Sequence, residues 1–103
     1  MKVTTRTGDD ATAYLHLAGE LDLATAGVLD EHVHRAVAGG PRHLVVDLTE
    51  VTFCDSSGIE ALLTAQATSG RRGIDLRVVN PGGVTLRAFQ LTGVQEVLTA
   101  AEA

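Results

Sequence analysis

The chain has 103 residues, 45% of them apolar and 20% charged, which is a globular balance and points to a single domain over residues 1–103 with one core. Thirteen acids against eight bases give a net charge of −5, which argues against a nucleic-acid partner, and 3% aromatics leaves little for stacking on bases or sugars. One cysteine, Cys54, excludes an internal disulfide and suits a reducing cytoplasm, and no secretory leader or membrane-length apolar run is visible.

Residues 3–6 can form a first strand, and Gly8-Asp9-Asp10 signals a turn. Residues 11–18 alternate, with Ala13, Leu15 and Leu17 on one side and Thr12, Tyr14, His16 and Ala18 on the other, as in a half-buried strand that Gly19 ends. From residue 23 to 38 the period changes. Leu29, Val33, Ala36 and Val37 make one helical stripe, Asp22 or Thr25 can cap its start, and Gly39-Gly40-Pro41 stops it. Residues 43–48 are apolar and β-branched, and predict a central strand covered on both faces. Ile59, Leu62, Leu63 and Gln66 then recur at helical spacing up to Ser69-Gly70. Residues 76–79 predict another strand, Asn80-Pro81-Gly82-Gly83 a turn, and residues 84–91 a third helix broken by Gly93; residues 94–103 fit a strand, a helix or a tail. Strands joined through helices favour parallel pairing. The expected fold is therefore α/β, a mixed four- to five-stranded sheet with helices packed mainly on one face, since so short a chain can hardly fill both layers.

Between the central strand and the helix after it lies Phe53-Cys54-Asp55-Ser56-Ser57-Gly58-Ile59-Glu60. Ser57-Gly58-Ile59-Glu60 matches the capping box S-x-x-E, which assigns Ser57 as the N-cap and leaves Ser56 just outside the helix with its hydroxyl in solvent. A helix N-terminus accommodates an anion, so Ser56 can accept a phosphoryl group; the plainer alternative is that both serines are turn residues.

This loop resembles the phosphorylation loop of STAS domains, the anti-sigma factor antagonists of bacteria. Gly19-Glu20-Leu21-Asp22 resembles the family's G-E-L-D segment, and Val45-Val46-Asp47-Leu48 its central strand. Val79-Asn80-Pro81 and Leu91-Thr92-Gly93-Val94 resemble its late turn and its terminal L-T-G-L, all in family order over nearly the whole chain. The resemblance implies that Ser56 is the residue phosphorylated by a partner kinase. It implies that Asp55 lies in the kinase contact, that Ser57 and Gly58 shape the helix start, and that Asp22 stands within the partner's footprint; Asp22 as a plain helix cap is the alternative. The implied partners are an anti-sigma factor serine kinase and a phosphatase, with no direct nucleic acid and no membrane insertion. No cofactor is implied for this chain: it has no G-x-x-x-x-G-K-S/T cradle, so ATP belongs to the kinase. Glu60 stands where the family often carries a small residue, and Gly82-Gly83 and Thr85-Leu86 depart from the family's usual stretch.

The resemblance makes the chain a binding module rather than an enzyme. A serine hydrolase would need glycines two before and two after its nucleophile, and neither Ser56 nor Ser57 has the first of them. His32 and His34 diverge on a helix, His16 and His43 read as exposed strand residues, and Cys54 reads as a buried small hydrophobe, so no metal site is expected. The competing function is a STAS adaptor or assembly subunit of a stress-signalling complex or of a lipid or anion transport complex.

Overall fold

The computed structural model describes residues 1–8 and 10–82. Strand β1 (Lys2–Thr7) is rich in threonine and pairs antiparallel with β2 (Thr12–Leu21), from Lys2 opposite Ala18 to Thr7 opposite Ala13. Between them the Gly8 amide donates to the Thr12 carbonyl at 2.8 Å, and Ala11 takes φ 62° to close the turn. The alternation in β2 is realised. Ala13, Leu15 and Leu17 are buried, whereas Tyr14, His16 and Ala18 on the opposite face are half-buried; Thr12, expected with these last, is instead buried.

Helix α1 (Ala26–Ala38) buries Leu29, Val33 and Val37, and Gly40 at φ 71° leads out of it. Strand β3 (His43–Cys54) runs parallel to β2, and β4 (Asp75–Val79) parallel to β3, in the order β1-β2-β3-β4. Between β3 and β4 lies helix α2 (Ser56–Gly70), which packs on α1, β3 and β4. The helices bury one face of the sheet. Leu15, Leu17, Leu44, Val46, Leu48, Leu76 and Val78 point into that layer and meet Leu29, Val33 and Leu62, all at or near zero exposure. Each such leucine contributes about 1.5–3 kcal/mol, so this single layer dominates stability.

Five local expectations are corrected. β2 continues through Gly19, which sits within the strand at φ 109°, a conformation open to glycine without strain. β3 is twice as long as the apolar run, because six further residues, Thr49 to Cys54, stay in the strand, with Glu50, Val51, Phe53 and Cys54 pairing with β2 across two one-residue bulges. Its second face is not covered by the helices: Val45 and Asp47 remain half-buried there. α1 starts at Ala26 instead of residue 23, because Asp22 to Thr25 form a turn of their own. In α2 the buried stripe runs through Ile59, Leu62, Ala65 and Ser69, with Leu63 and Gln66 on its flank. The buried Ser69 hydroxyl is satisfied by the Ala65 carbonyl at 2.9 Å. The expected third helix and tail lie outside the described residues.

Candidate functional site at the carboxyl ends of the central strands

β2 and β3 end together, with Leu21 paired to Cys54. The next residue on each strand is an aspartate, so Asp22 and Asp55 leave the sheet side by side. Asp22 and Thr25 tie each other. The Asp22 amide donates to Thr25 Oγ1 at 2.9 Å, and the Thr25 amide donates to Asp22 Oδ1 at 3.2 Å. This reciprocal arrangement has the logic of a capping box one turn ahead of α1. Thr25 is the formal N-cap of α1, with its hydroxyl turned back to Asp22 and to the Glu20 carbonyl at 2.9 Å. Thr25 is thus the N-cap by position without a side-chain cap bond, and Asp22 holds the turn ahead of α1 instead of capping the helix.

At α2 the cap is Asp55, not Ser57. Asp55 is extended (φ −104°, ψ −169°), and its Oδ1 accepts the Gly58 amide at 3.0 Å, the N-cap to N3 bond. The helix consequently begins at Ser56, two residues earlier than a capping box at Ser57 and Glu60 would have it. A carboxylate is at least as good a cap as a hydroxyl, and its charge also meets the positive end of the helix. The strand pairing decides between them, because Asp55 is the residue that leaves β3 in extended conformation. Glu60 is freed from capping and lies exposed on α2.

Ser56 is therefore the first helical residue rather than the last loop residue, yet its exposure is as expected: it is open to solvent, and its hydroxyl has no hydrogen-bond partner among the described residues. Ser57 is half-buried and turned toward α1. Gly58 is buried, because a Cβ there would overlap the Leu21 carbonyl oxygen and stand 2.9 Å from Cys54 Sγ. Cys54 is 4% exposed. Burial, helped by the charge of Asp55, pushes its thiol up to about 11.

Beside Ser57 a groove of about 330 Å³ separates α1 from α2. Leu23, Ala26 and Ala61 supply its apolar lining, and Asp30 and Glu60 its charges. Leu23 is 79% exposed and Phe53 43%, both close in sequence to the two strand ends. Glu20, Asp22, Asp55 and Glu60 belong to this end of the molecule. The bases between Glu20 and Glu60 are Arg35, in the last turn of α1, and Arg42, just ahead of β3, at the opposite end of the sheet. Among the described residues the Ser56 corner thus gathers four acids with apolar side chains standing out of it, while β1 brings Lys2, opposite Ala18, toward the same end of β2.

On the sheet face away from the helices lies a cluster that the sequence reading did not assemble. His16 is not a free exposed ring. Its Nδ1 lies 3.3 Å from Asp47 Oδ2, and its Nε2 lies 2.6 Å from Glu50 Oε2. These carboxylates, Glu50 first, raise the pKa of His16 above its ordinary value. Burial alone would raise Asp47, but hydrogen bonds from the Thr49 hydroxyl and amide, from Asn80 and from His16 bring it below the ordinary carboxylate value. The available signal was an aspartate inside the apolar run Val45-Val46-Asp47-Leu48. The other histidines are local: His32 meets the Val28 carbonyl, His34 pairs with Asp30, and His43 lies 3.5 Å from Asp75.

Comparison with known proteins gives the family and matches the fold. Residues 4–99 match the family described as "Mlab, STAS domain". Over 87 residues the chain is 36% identical to the anti-sigma-F factor antagonist RsfB of Mycobacterium tuberculosis, an alignment covering 84% of this chain and 70% of that one. The crystal structure of an anti-sigma factor antagonist from Mycobacterium paratuberculosis superposes with a TM-score of 0.78 at 32% identity, covering 94% of this chain and 83% of that one. A further likeness, 30% over 73 residues, is to the high affinity sulfate transporter 2 of Stylosanthes hamata; it covers 69% of this chain and 11% of the transporter. The chain belongs to the STAS domain family. No helix among the described residues is long and apolar enough to cross a membrane.

Proposed function

We propose that this chain is an anti-sigma factor antagonist whose docking is switched by phosphorylation of Ser56. The exposure of the Ser56 hydroxyl at the first residue of α2, on an acidic and partly apolar corner, carries this reading. The antagonist relatives above support it.

Unphosphorylated, the corner docks on an anti-sigma factor that is also a serine kinase, and the sigma factor is released. The kinase supplies ATP. Ser56 Oγ attacks the γ-phosphorus, the bond from that phosphorus to the bridging oxygen breaks, ADP departs, and a base of the kinase takes the hydroxyl proton. Asp55 holds the helix start in place through Gly58, and Asp22 holds the neighbouring turn. Leu23 and Phe53 supply apolar contact, and the surrounding acids select a basic partner face.

A phosphoserine carries about −1.5 to −2 charges at neutral pH. Within the chain the N-terminus of α2 tolerates that charge, so the fold stays intact. In the interface the same charge stands beside Asp55 and must be desolvated. A loss of about 3–4 kcal/mol weakens docking roughly 100- to 1000-fold, enough for an off state. A separate phosphatase restores the hydroxyl.

The test is binding of wild type, Ser56→Ala and Ser56→Asp to the cognate anti-sigma factor. Wild type and Ser56→Ala should bind alike and Ser56→Asp much more weakly; equal affinity in all three rejects the switch. The second reading, an adaptor subunit of a transport complex, draws on the likeness to the sulfate transporter. It predicts co-purification with a membrane permease from the native cell, and docking indifferent to Ser56 substitutions.

A further inference from the structure

Along β2 and β3 the partner of His16 is Asp47, but the partner of Ala18 is Glu50, so β3 carries one extra residue between those points. The side chains on the two flanks of this bulge, Asp47 and Glu50, both reach the His16 ring, one at each nitrogen. Only the imidazolium can donate from both nitrogens; a neutral ring donates from one and presents a lone pair at the other. Losing the proton therefore releases one flank of the bulge and sets a lone pair against a carboxylate. The stretch beyond the bulge is the outer half of β3, and its end, Cys54, hands directly to the cap at Asp55 and to Ser56.

We propose that His16 is a positioning residue for the Ser56 corner: its doubly protonated ring ties the two flanks of the first β3 bulge, and loss of a proton loosens the strand that delivers Ser56. That the corner is a docking site rests on the function proposed above; the tie itself does not. The charged and titratable groups sharing this sheet face, among the described residues, are Lys2 and Arg6 on β1, Tyr14 and Glu20 on β2, His43, Asp47 and Glu50 on β3, and Asp75 and Arg77 on β4. Arg6 lies over the Tyr14 ring at 4.1 Å, and Arg77 is held by Asp75 at 3.0 Å, which leaves Asp47 and Glu50 as the groups in contact with His16. Because the folded protein holds the proton more tightly than an ordinary histidine does, the tie is complete below about pH 6.5 and is lost as pH rises through the raised value.

The test follows the His16 ring and the Ser56, Ser57 and Gly58 amides by NMR from about pH 5 to 9, spanning the histidine range. Wild type, His16→Gln and Glu50→Gln are compared. In wild type the three amides should shift with the same midpoint as the ring. In Glu50→Gln both midpoints should fall together, and in His16→Gln the amide transition should vanish. An amide transition that persists in His16→Gln, or amides that stay still while the ring titrates, overturns the proposal. If His16→Gln does not fold, Glu50→Gln decides, since an amide midpoint that fails to follow the ring has the same meaning. No anti-sigma factor enters this measurement, so its failure and that of the proposed switch are separately visible.

Discussion

Gly58 of α2 rests against the carbonyl oxygen of Leu21 at the end of β2, with no room between them for a side chain. A Cβ at residue 58 would overlap that oxygen and press on Cys54 Sγ, and the first of these is backbone that cannot swing aside. Gly58→Ala should therefore cost about 1–3 kcal/mol, as overpacking does, read as a lowered urea midpoint. It should also alter the amide spectrum of residues 55–58 more than that of α1. Gly27, whose Cβ would meet nothing within 4 Å, is the control: Gly27→Ala in the first turn of α1 should leave stability unchanged or raise it by a few tenths of a kcal/mol.

The cap at Asp55 makes a second prediction, which separates it from Ser57. Asp55→Ala should lose about 0.5–2 kcal/mol, and Asp55→Asn should recover most of it, because the amide oxygen can still accept from Gly58. Ser57→Ala should cost less than Asp55→Ala. Chemical denaturation of the three variants checks the order, and a larger loss at Ser57 would restore the capping box.

Cys54 should be chemically silent in the folded protein. With its thiol pushed up to about 11 and only 4% of its surface exposed, a disulfide reagent at neutral pH should react slowly until the chain unfolds. The folded state should also lose stability as pH climbs from the ordinary thiol value of 9.0 toward 11, because the unfolded thiol ionises first. Rapid labelling under native conditions would place Cys54 at the surface.

Leu23 offers a test of docking without a test of folding. It is 79% exposed, so Leu23→Ser should change stability by less than about 0.5 kcal/mol. Under the proposed function it should weaken binding to the anti-sigma factor by at least about 1 kcal/mol, roughly a fivefold change. Calorimetry and thermal denaturation on one preparation give both numbers.

The alternation of β2, the stripe of α1 and the strand–loop–helix order around Ser56 were legible because each depends on local periodicity or on the residue types of one short segment. What escaped depends on neighbours distant in sequence. The length of β3 is set by pairing with β2 through two bulges, which break the apolar alternation around Thr49, Glu50 and Thr52 even though threonine itself suits a strand. The same pairing brings Asp55 out of β3 extended and so decides the cap against Ser57, although both residues suit the position. His16, Asp47 and Glu50 meet across 31 and 34 residues of chain, and only the bulged register sets them together. The Ser56 corner was readable because Asp55, Ser56 and Ser57 are contiguous; the groove beside it was not, because Leu23, in the turn before α1, and Glu60, on α2, come from segments far apart in sequence.

The most direct test of the switch compares the unmodified chain with the same chain carrying one phosphoryl group on Ser56, each titrated with the cognate anti-sigma factor at fixed salt. The account predicts weaker binding by roughly 100- to 1000-fold, with the circular dichroism spectrum unchanged. Equal affinity of the two forms would contradict it.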